Sequence, residues 1–443
     1  MSARADNDIL VLGADPYVLR ACAQYELRPV VIYPPWFEHF GLFELPPDAI
    51  GLLVEDPRNP DDVLRALHRR GLADRPYRCV YTSEENGLVT AAVVAQILGA
   101  RSISPSTAVR CRDKAVQKQA VRQSGVPVAD GIVIDDVHDL TSLPPLPYEH
   151  AVLKPVGGTA VRQTFRIASQ DDLVATARRI VAERGPNRTF LLEEFVPGEE
   201  WVVDGVVFGG ELVLLTLGRY SMPPLSMLET GTAPIMFKFD PSSDADRYAA
   251  AAPIVAKALA ALGLTDGVFH MELFYDPRDG QLVYGECAAR RGGGLIQEVV
   301  HRKFGVDLGA AAVACAIGEP PDLRTTISPD SVGCVYLPVR PGVLVSCPSV
   351  ADLQQLPGVD YARLELPLGY RSAGSAGNTV ERIGQVMVSG TSDAEVESRC
   401  QEVERWFADS TVLVPDGVAP RQLREWQRTT YPEVDFSVRL FGA

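Results

Sequence analysis

The stretch that most limits the fold of this chain is its first apolar run, "DILVLGAD" (Asp8 to Asp15), which ends in Gly13 and leads into the helix-like "PYVLRACAQYEL" and a second run, "RPVVIYP". A β-rich run, a glycine turn, a helical period and another β-rich run spell a βαβ opening. "RCVYTSEENGLVTAAVVAQILGA" (Arg78 to Ala100) repeats the pattern with a longer, alanine-rich helix. Residues 1–105 therefore read as a small doubly wound α/β domain. A lone Gly13 falls well short of the three-glycine fingerprint, so no dinucleotide site is expected there.

With 443 residues, 46% of them hydrophobic, the chain can hold several domains and a sizeable core. Its net charge of −15, from 42 basic and 57 acidic residues, argues against nucleic acid or an anionic membrane as partner, so any phosphate binding must be local. The cysteines Cys22, Cys79, Cys111, Cys287, Cys315, Cys334, Cys347 and Cys400 are scattered, with no spacing suited to zinc, and read as buried thiols. No uncharged run approaches the roughly 20 residues needed to span a bilayer. "MSARADNDILVLGAD" passes from a short polar leader into a strand without the regions of a signal peptide, so the expected location is the cytoplasm.

Further along, "SPSTAVRCRDKAVQKQAVRQSGVPVADGIVI" predicts a basic helix with Ser106 as its N-cap and Gly125 and Pro127 as its stop, then a strand. "AVLKPVGGTAVRQTFRIAS" predicts a hairpin whose first strand ends at Lys154 and whose tip is cationic and flexible. "TFLLEEFVPGEEWVVDGVVFGGELVLLTLG" predicts an antiparallel meander, and Arg219 to Met236 a long loop of the kind that usually serves function. "GVFHMELFYD" and "LVYGECAA" predict two strands around the turn "PRDGQ". The last hundred or so residues mix strands with a long helix, "SDAEVESRCQEVERWFA", and carry no obvious catalytic constellation.

Glu272 and Glu286 fall near the centres of those two consecutive strands, where a hairpin could bring both onto neighbouring strands. Two such acids are either solvated strand residues or a site for a divalent cation, since magnesium favours carboxylates together with substrate phosphate oxygens. The turn after Glu286, with Arg290, Arg291 and the glycines that follow, offers cations and backbone N–H groups to an anion beside the acids. Lys154, just before Gly157 and Gly158, is either a surface lysine or a phosphate ligand, because glycines let backbone N–H groups approach the oxygens closely. Lys114 lies on a basic helix of the sort that is usually a solvated face.

Taken in order, "RDKAVQKQAVRQSGVPV", "AVLKPVGGTA", "LLEEFVPGEEWVVDG", "FHMELFYDPRDGQLVYGECAARRGGGLI" and "FGVDLGAAAVACAIGE" resemble the ATP-grasp superfamily, in particular carboxylate–amine ligases with a biotin-carboxylase-like layout, such as L-amino acid ligases. The resemblance implies an α/β (α+β) fold: an N-terminal α/β domain (1–105), an ATP-grasp domain (106–325) with a mobile phosphate-loop region at 155–190, and a C-terminal α+β region (326–443) packed on it. It implies that ATP lies between two subdomains, with Lys114, Lys154, Gly157 and Gly158 at its phosphates. The strand Glu193, Glu194, Phe195 and Val196 would meet the adenine, mainly through the backbone of Glu193 and Val196, with Glu200 near the ribose. Glu272 and Glu286 would hold magnesium, or manganese in its place.

In such enzymes a small carboxylate takes the γ-phosphate as an acylphosphate and an amine then displaces phosphate, so Arg290 and Lys154 would be catalytic. Arg291, Gly292 and Gly293 would shape the acceptor site, with Glu229, Thr230 and Gly231 lining it. Relatives of this kind are commonly dimers. Two departures stand out: Ala288 where many members carry Asn, and "GGTA" where relatives show three or four glycines. A biotin-type or other carboxylase and a nucleotide-binding sensor without activity are the alternatives.

Overall fold

The computed structural model describes residues 7–35, 37, 45–230, 232–374 and 381–415, together with 417, 421, 422, 425 and 429. The chain opens with β1 (Asp8–Leu12), α1 (Pro16–Gln24), β2 (Arg28–Tyr33), β3 (Ile50–Leu53), α2 (Pro60–Arg69), β4 (Tyr77–Thr82) and α3 (Leu88–Leu98). The strands form a parallel sheet of order β3-β2-β1-β4. All five residues of β1 are buried, as a sheet covered on both faces by crossover helices requires. The loops that follow β1 and β4 carry Asp15, Glu84 and Glu85, and they open at the carboxyl ends of two adjacent strands, where α/β sheets bind ligands.

Two helices, α4 (Pro105–Arg110) and α5 (Lys114–Gln123), stand where one was expected. Ser104, not Ser106, caps the first, accepting from the Thr107 N–H. Pro105 suits the first helical position, which places the cap one residue before it. Asp113 restarts the helix by accepting from the N–H groups of Ala115 and Val116. Next come β5 (Gly131–Ile134), β6 (Ala151–Pro155), β7 (Phe165–Ile167), α6 (Gln170–Ala182) and β8 (Phe190–Glu194), whose strands form a small antiparallel sheet of order β5-β8-β6-β7.

The rest comprises β9 (Glu199–Phe208), β10 (Glu211–Tyr220), α7 (Pro224–Thr230), β11 (Ile235–Lys238), α8 (Ala245–Leu262), β12 (Gly267–Tyr275) and β13 (Leu282–Ala288). These are followed by α9 (Ile296–Phe304), α10 (Leu308–Ile317), β14 (Ser331–Pro338), β15 (Gly342–Ser346), α11 (Val350–Leu353), β16 (Val359–Leu364), β17 (Arg371–Ser372), β18 (Arg382–Gly390), α12 (Asp393–Ser410) and β19 (Val412–Val414). An eight-stranded sheet runs β13-β12-β9-β10-β11-β14-β18-β16, and β17-β15-β19 form a separate ribbon. Because β11 pairs with β14, the large sheet passes through residue 325 without interruption.

Two expectations are corrected. The meander is split between sheets: β8 joins the small sheet, whereas β9 and β10 form a hairpin in the large one, and Pro197–Gly198 makes the crossing. Gly198 adopts φ +131°, and a Cβ there would sit 2.1 Å from the Tyr275 carbonyl oxygen, so the crossing needs glycine. The span from Arg219 to Met236 is not a long loop, since it holds the end of β10, the whole of α7 and the start of β11. Its buried Met227 anchors α7.

The cysteines are unpaired, all buried except the half-buried Cys347. Among the described residues no helix is long and apolar enough to cross a membrane.

Beneath one end of the large sheet lies a charged core. Asp204 (β9) and Lys238 (β11) have side chains with 0% exposure and meet at 2.7 Å, while His270 (β12) places Nδ1 2.8 Å from the other Asp204 oxygen. Burial alone would push the Asp204 carboxyl up; Lys238 and His270 outweigh it and hold the group at about 2. A buried charge is tolerable only while paired. Asp204→Ala is therefore expected to cost about 3–5 kcal/mol in urea denaturation. A loss under about 1 kcal/mol would show that Lys238 is not held there as an unpaired charge.

Candidate active site

A cavity of about 640 Å³ opens where three parts of the fold converge: the small sheet, one face of the large sheet, and the loops after β1 and β4. Its size suits a small-molecule ligand.

On the large-sheet wall, Glu272 stands opposite Glu286 in the β12–β13 register, and Glu200 opposite Phe274 in the β12–β9 register. All three acids line the cavity. Burial, then the Glu286 and Glu200 carboxylates, push the Glu272 carboxyl well above the usual range. Burial and Glu286 also raise Glu200. Glu286 is held low because Lys114 and Lys154 outweigh its burial. Three acids crowded in this way repel one another, and a divalent cation between Glu272 and Glu286 would relieve that repulsion. Among the described residues no group of three or more His, Cys, Asp or Glu side chains is arranged to hold a metal ion. A cation there would need further oxygen ligands, which fits magnesium bound with phosphate. Ala288, opposite His270, offers no side-chain ligand.

The facing wall carries lysines. Lys114, at the first position of α5, is buried; its Nζ donates to the Gly158 carbonyl at 2.8 Å and lies 3.1 Å from Glu286. Lys154 ends the apolar part of β6 and pairs with Glu193 at 2.6 Å. A third lysine, Lys118, pairs with the other oxygen of Glu193 at 2.7 Å. Glu193 is in register with Gly131 on one side and Val152 on the other, and its carboxylate lies between the two lysines. Glu194, Phe195 and Val196 line the same wall, and the Arg166 guanidinium lies 4.2 Å from the Phe195 ring centre.

The loop from β6 to β7 replaces glycine in an unusual way. Ala160, Val161 and Gln163 take positive φ angles of 54°, 59° and 54°, a region that favours glycine and is least suited to β-branched valine. The glycine-poor "GGTA" thus ends in, and is followed by, residues in glycine-like conformations. Gly158 lines the cavity, whereas Gly157 packs beside Arg112.

At the other end, the turn after β13 is tied to the first sheet. Arg290 pairs with Glu85. Arg291 pairs with Asp15 at 2.7 Å and lies 4.5 Å from the Tyr17 ring centre. Gly292 passes so close over the charged core that a Cβ would sit 2.8 Å from His270 Nδ1 and 2.9 Å from Asp204 Oδ1. Both arginines, Gly292 and Gly293 line the cavity. Glu229 does not: it is exposed and pairs with Arg166 at 3.2 Å, beside a neighbouring groove. Thr230 is exposed at the end of α7, and Gly231 lies outside the described residues.

Several lining residues went unread in the sequence. Asp15, Glu84 and Glu85 sit in turns, and Tyr336 and Arg382 come from the region 326–443, in which no catalytic constellation was read. Lys118 had a usable signal. Lys114, Gln117, Lys118 and Val121 recur at helical spacing on one face and are all buried, and Gln117 bonds both the N–H and the carbonyl of Cys287.

Two clamping sheets with lysines on one wall and paired acids on the other define a nucleotide-dependent enzyme class, the ATP-grasp fold. Residues 148–299 match the ATP-grasp domain family. It is 26% identical over 342 residues, 76% of this chain and 79% of the other, to the L-arginine-specific L-amino acid ligase of Bacillus subtilis. It is 30% identical over 354 residues to carnosine synthase 1 of Gallus gallus, covering 73% of this chain but 36% of that protein. The crystal structure of L-amino acid ligase from Bacillus licheniformis superposes with a TM-score of 0.74 at 18% identity, over 94% of this chain and 100% of that one.

Val161→Gly should relieve backbone strain worth about 1–2 kcal/mol. The gain is read by urea denaturation. A net loss would show that the packing of the valine side chain outweighs its backbone.

Proposed function

We propose that this protein is an ATP-dependent, ADP-forming ligase that activates the carboxylate of one amino acid as an acylphosphate and joins it to the amine of another. The observation that carries this reading is the opposition of Glu272 and Glu286 across one hairpin, with Lys114 and Lys154 on the wall they face and Arg290 at the end of the same cavity. The two named relatives support the substrate class, since one is described as an L-amino acid ligase and the other as carnosine synthase.

On this reading Lys114, Lys154 and Gly158 hold the nucleotide phosphates. Glu193, Phe195 and Val196 flank the base, and Glu200 lies toward the ribose. Glu272 and Glu286 hold magnesium, or manganese, which would neutralise charge on the phosphoryl group. Positioning and fixed charge then do most of the work, because phosphoryl transfer asks little covalent chemistry of the protein. Arg290, kept in place by Glu85, faces the activated carboxylate and the oxyanion that forms when the amine attacks. Arg291, Gly292 and Gly293 bound the acceptor. The domain limits proposed are 105 and 325, the third region contributing Tyr336 and Arg382 to the cavity.

ADP release against amino acids, singly and in pairs, tests the reaction. Release that requires two amino acids is expected. Release with bicarbonate alone would make the protein a carboxylase, and ATP binding without release under any condition would make it a sensor. Glu286→Ala should lower turnover at least ~100-fold. Turnover within about twofold of the parent protein would remove Glu286 from the metal site.

A further inference from the structure

Lys118 has no assigned part in the site, yet it is buried, lines the cavity and reaches the same carboxylate as Lys154. We infer that Lys118 is a positioning residue that keeps Lys154 available to the nucleotide phosphates: by sharing Glu193, it leaves the Lys154–Glu193–Lys118 group with a net positive charge toward the cavity. This rests on the reading above that Lys154 meets ATP.

The argument is one of charge and geometry. Lys114 is already matched by Glu286 at 3.1 Å, so that pair is neutral overall. If Glu193 met Lys154 alone, the second pair would be neutral as well, and an ammonium matched by a carboxylate at 2.6 Å is a weak ligand for a polyanion. Lys118 changes the count, since two ammonium groups now share one carboxylate. Its contact is charge against charge more than a directed bond: Glu193 Oε2 lies 2.7 Å from Lys118 Nζ, yet it is a buried oxygen without an aligned hydrogen bond. Burial and the neighbouring Lys154 lower the Lys118 ammonium below its ordinary range, as expected for two cations crowded on one acid.

The position of Lys118 is also built. Gln117 fastens α5 to β13 through both backbone groups of Cys287, at 2.7 and 2.9 Å, and Asp113 caps the helix. Lys118 therefore projects from a fixed stretch of helix.

The test is titration of the full chain with ATP, ADP and adenosine in EDTA, so that no divalent metal contributes. Lys118→Gln keeps a hydrogen-bond donor for Glu193 and removes the charge. It should weaken ATP and ADP about tenfold while adenosine stays within about twofold. Lys118→Arg should restore ATP binding. The double variant Lys118→Gln with Glu193→Gln leaves the charge of Lys154 unopposed, so its ATP-to-adenosine affinity ratio should return to the parent value. Equal weakening of all three ligands by Lys118→Gln, or no weakening, overturns the inference. If that variant does not fold, the double variant decides: a ratio still about tenfold low means that Lys118 does not act through Glu193. Parent protein that binds no ATP at all would instead overturn the nucleotide site itself.

Discussion

The register that sets β9 against β12 and β12 against β13 is the constraint on which the rest of the site depends. Along β12, Phe269, Met271 and Leu273 point into a core shared with α8 and are fully buried, which forces His270 and Glu272 to the opposite face. On that face Glu272 meets Glu286 and Val202, while His270 meets Ala288 and Asp204. A slip of β12 by one residue would drive Glu272 and His270 into the apolar layer. The hydrophobic pattern on one face of β12 thus fixes where the paired acids stand on the other.

Charge on this face is then matched from outside the sheet. Glu286 has Lys114 beside it, and Glu193 on the small sheet has Lys118 and Lys154, whereas Glu272 and Glu200 are left with raised carboxyl groups. The imbalance is local and directional: cations collect on α5 and the end of β6, and protonation-prone acids on the large-sheet wall. A ligand that brings both a divalent cation and phosphate oxygens satisfies the two walls together. The far end is different again, because Arg290 and Arg291 are held by Glu85 and Asp15 from the first sheet.

Much of this was legible in the sequence where a pattern is local. The βαβ opening, the β6–β7 hairpin and the two strands bearing Glu272 and Glu286 follow from short apolar runs and their turns. The division of β8 and β9 between two sheets was not legible, since a Pro-Gly turn between β-rich runs reads equally as a hairpin. Asp15 and Glu85 were not legible either: an acid in a turn after a parallel strand looks solvated until the arginines 276 and 205 residues later are folded against it. Lys118 went unread because a charged helix is expected to face water, although its spacing from Lys114 and Gln117 already marked a buried face.

The packing of α10 bears on how the chain is made. Val313 and Ile317 from that helix complete the core beneath Ile9, Val11 and Val18 of the first βαβ unit. The first βαβ unit therefore keeps one apolar face uncovered until residue 317 has been synthesised. During that interval the parallel sheet is an unfinished surface open to aggregation, and its protection is a matter of translation speed and chaperones as much as of the stability of the finished fold.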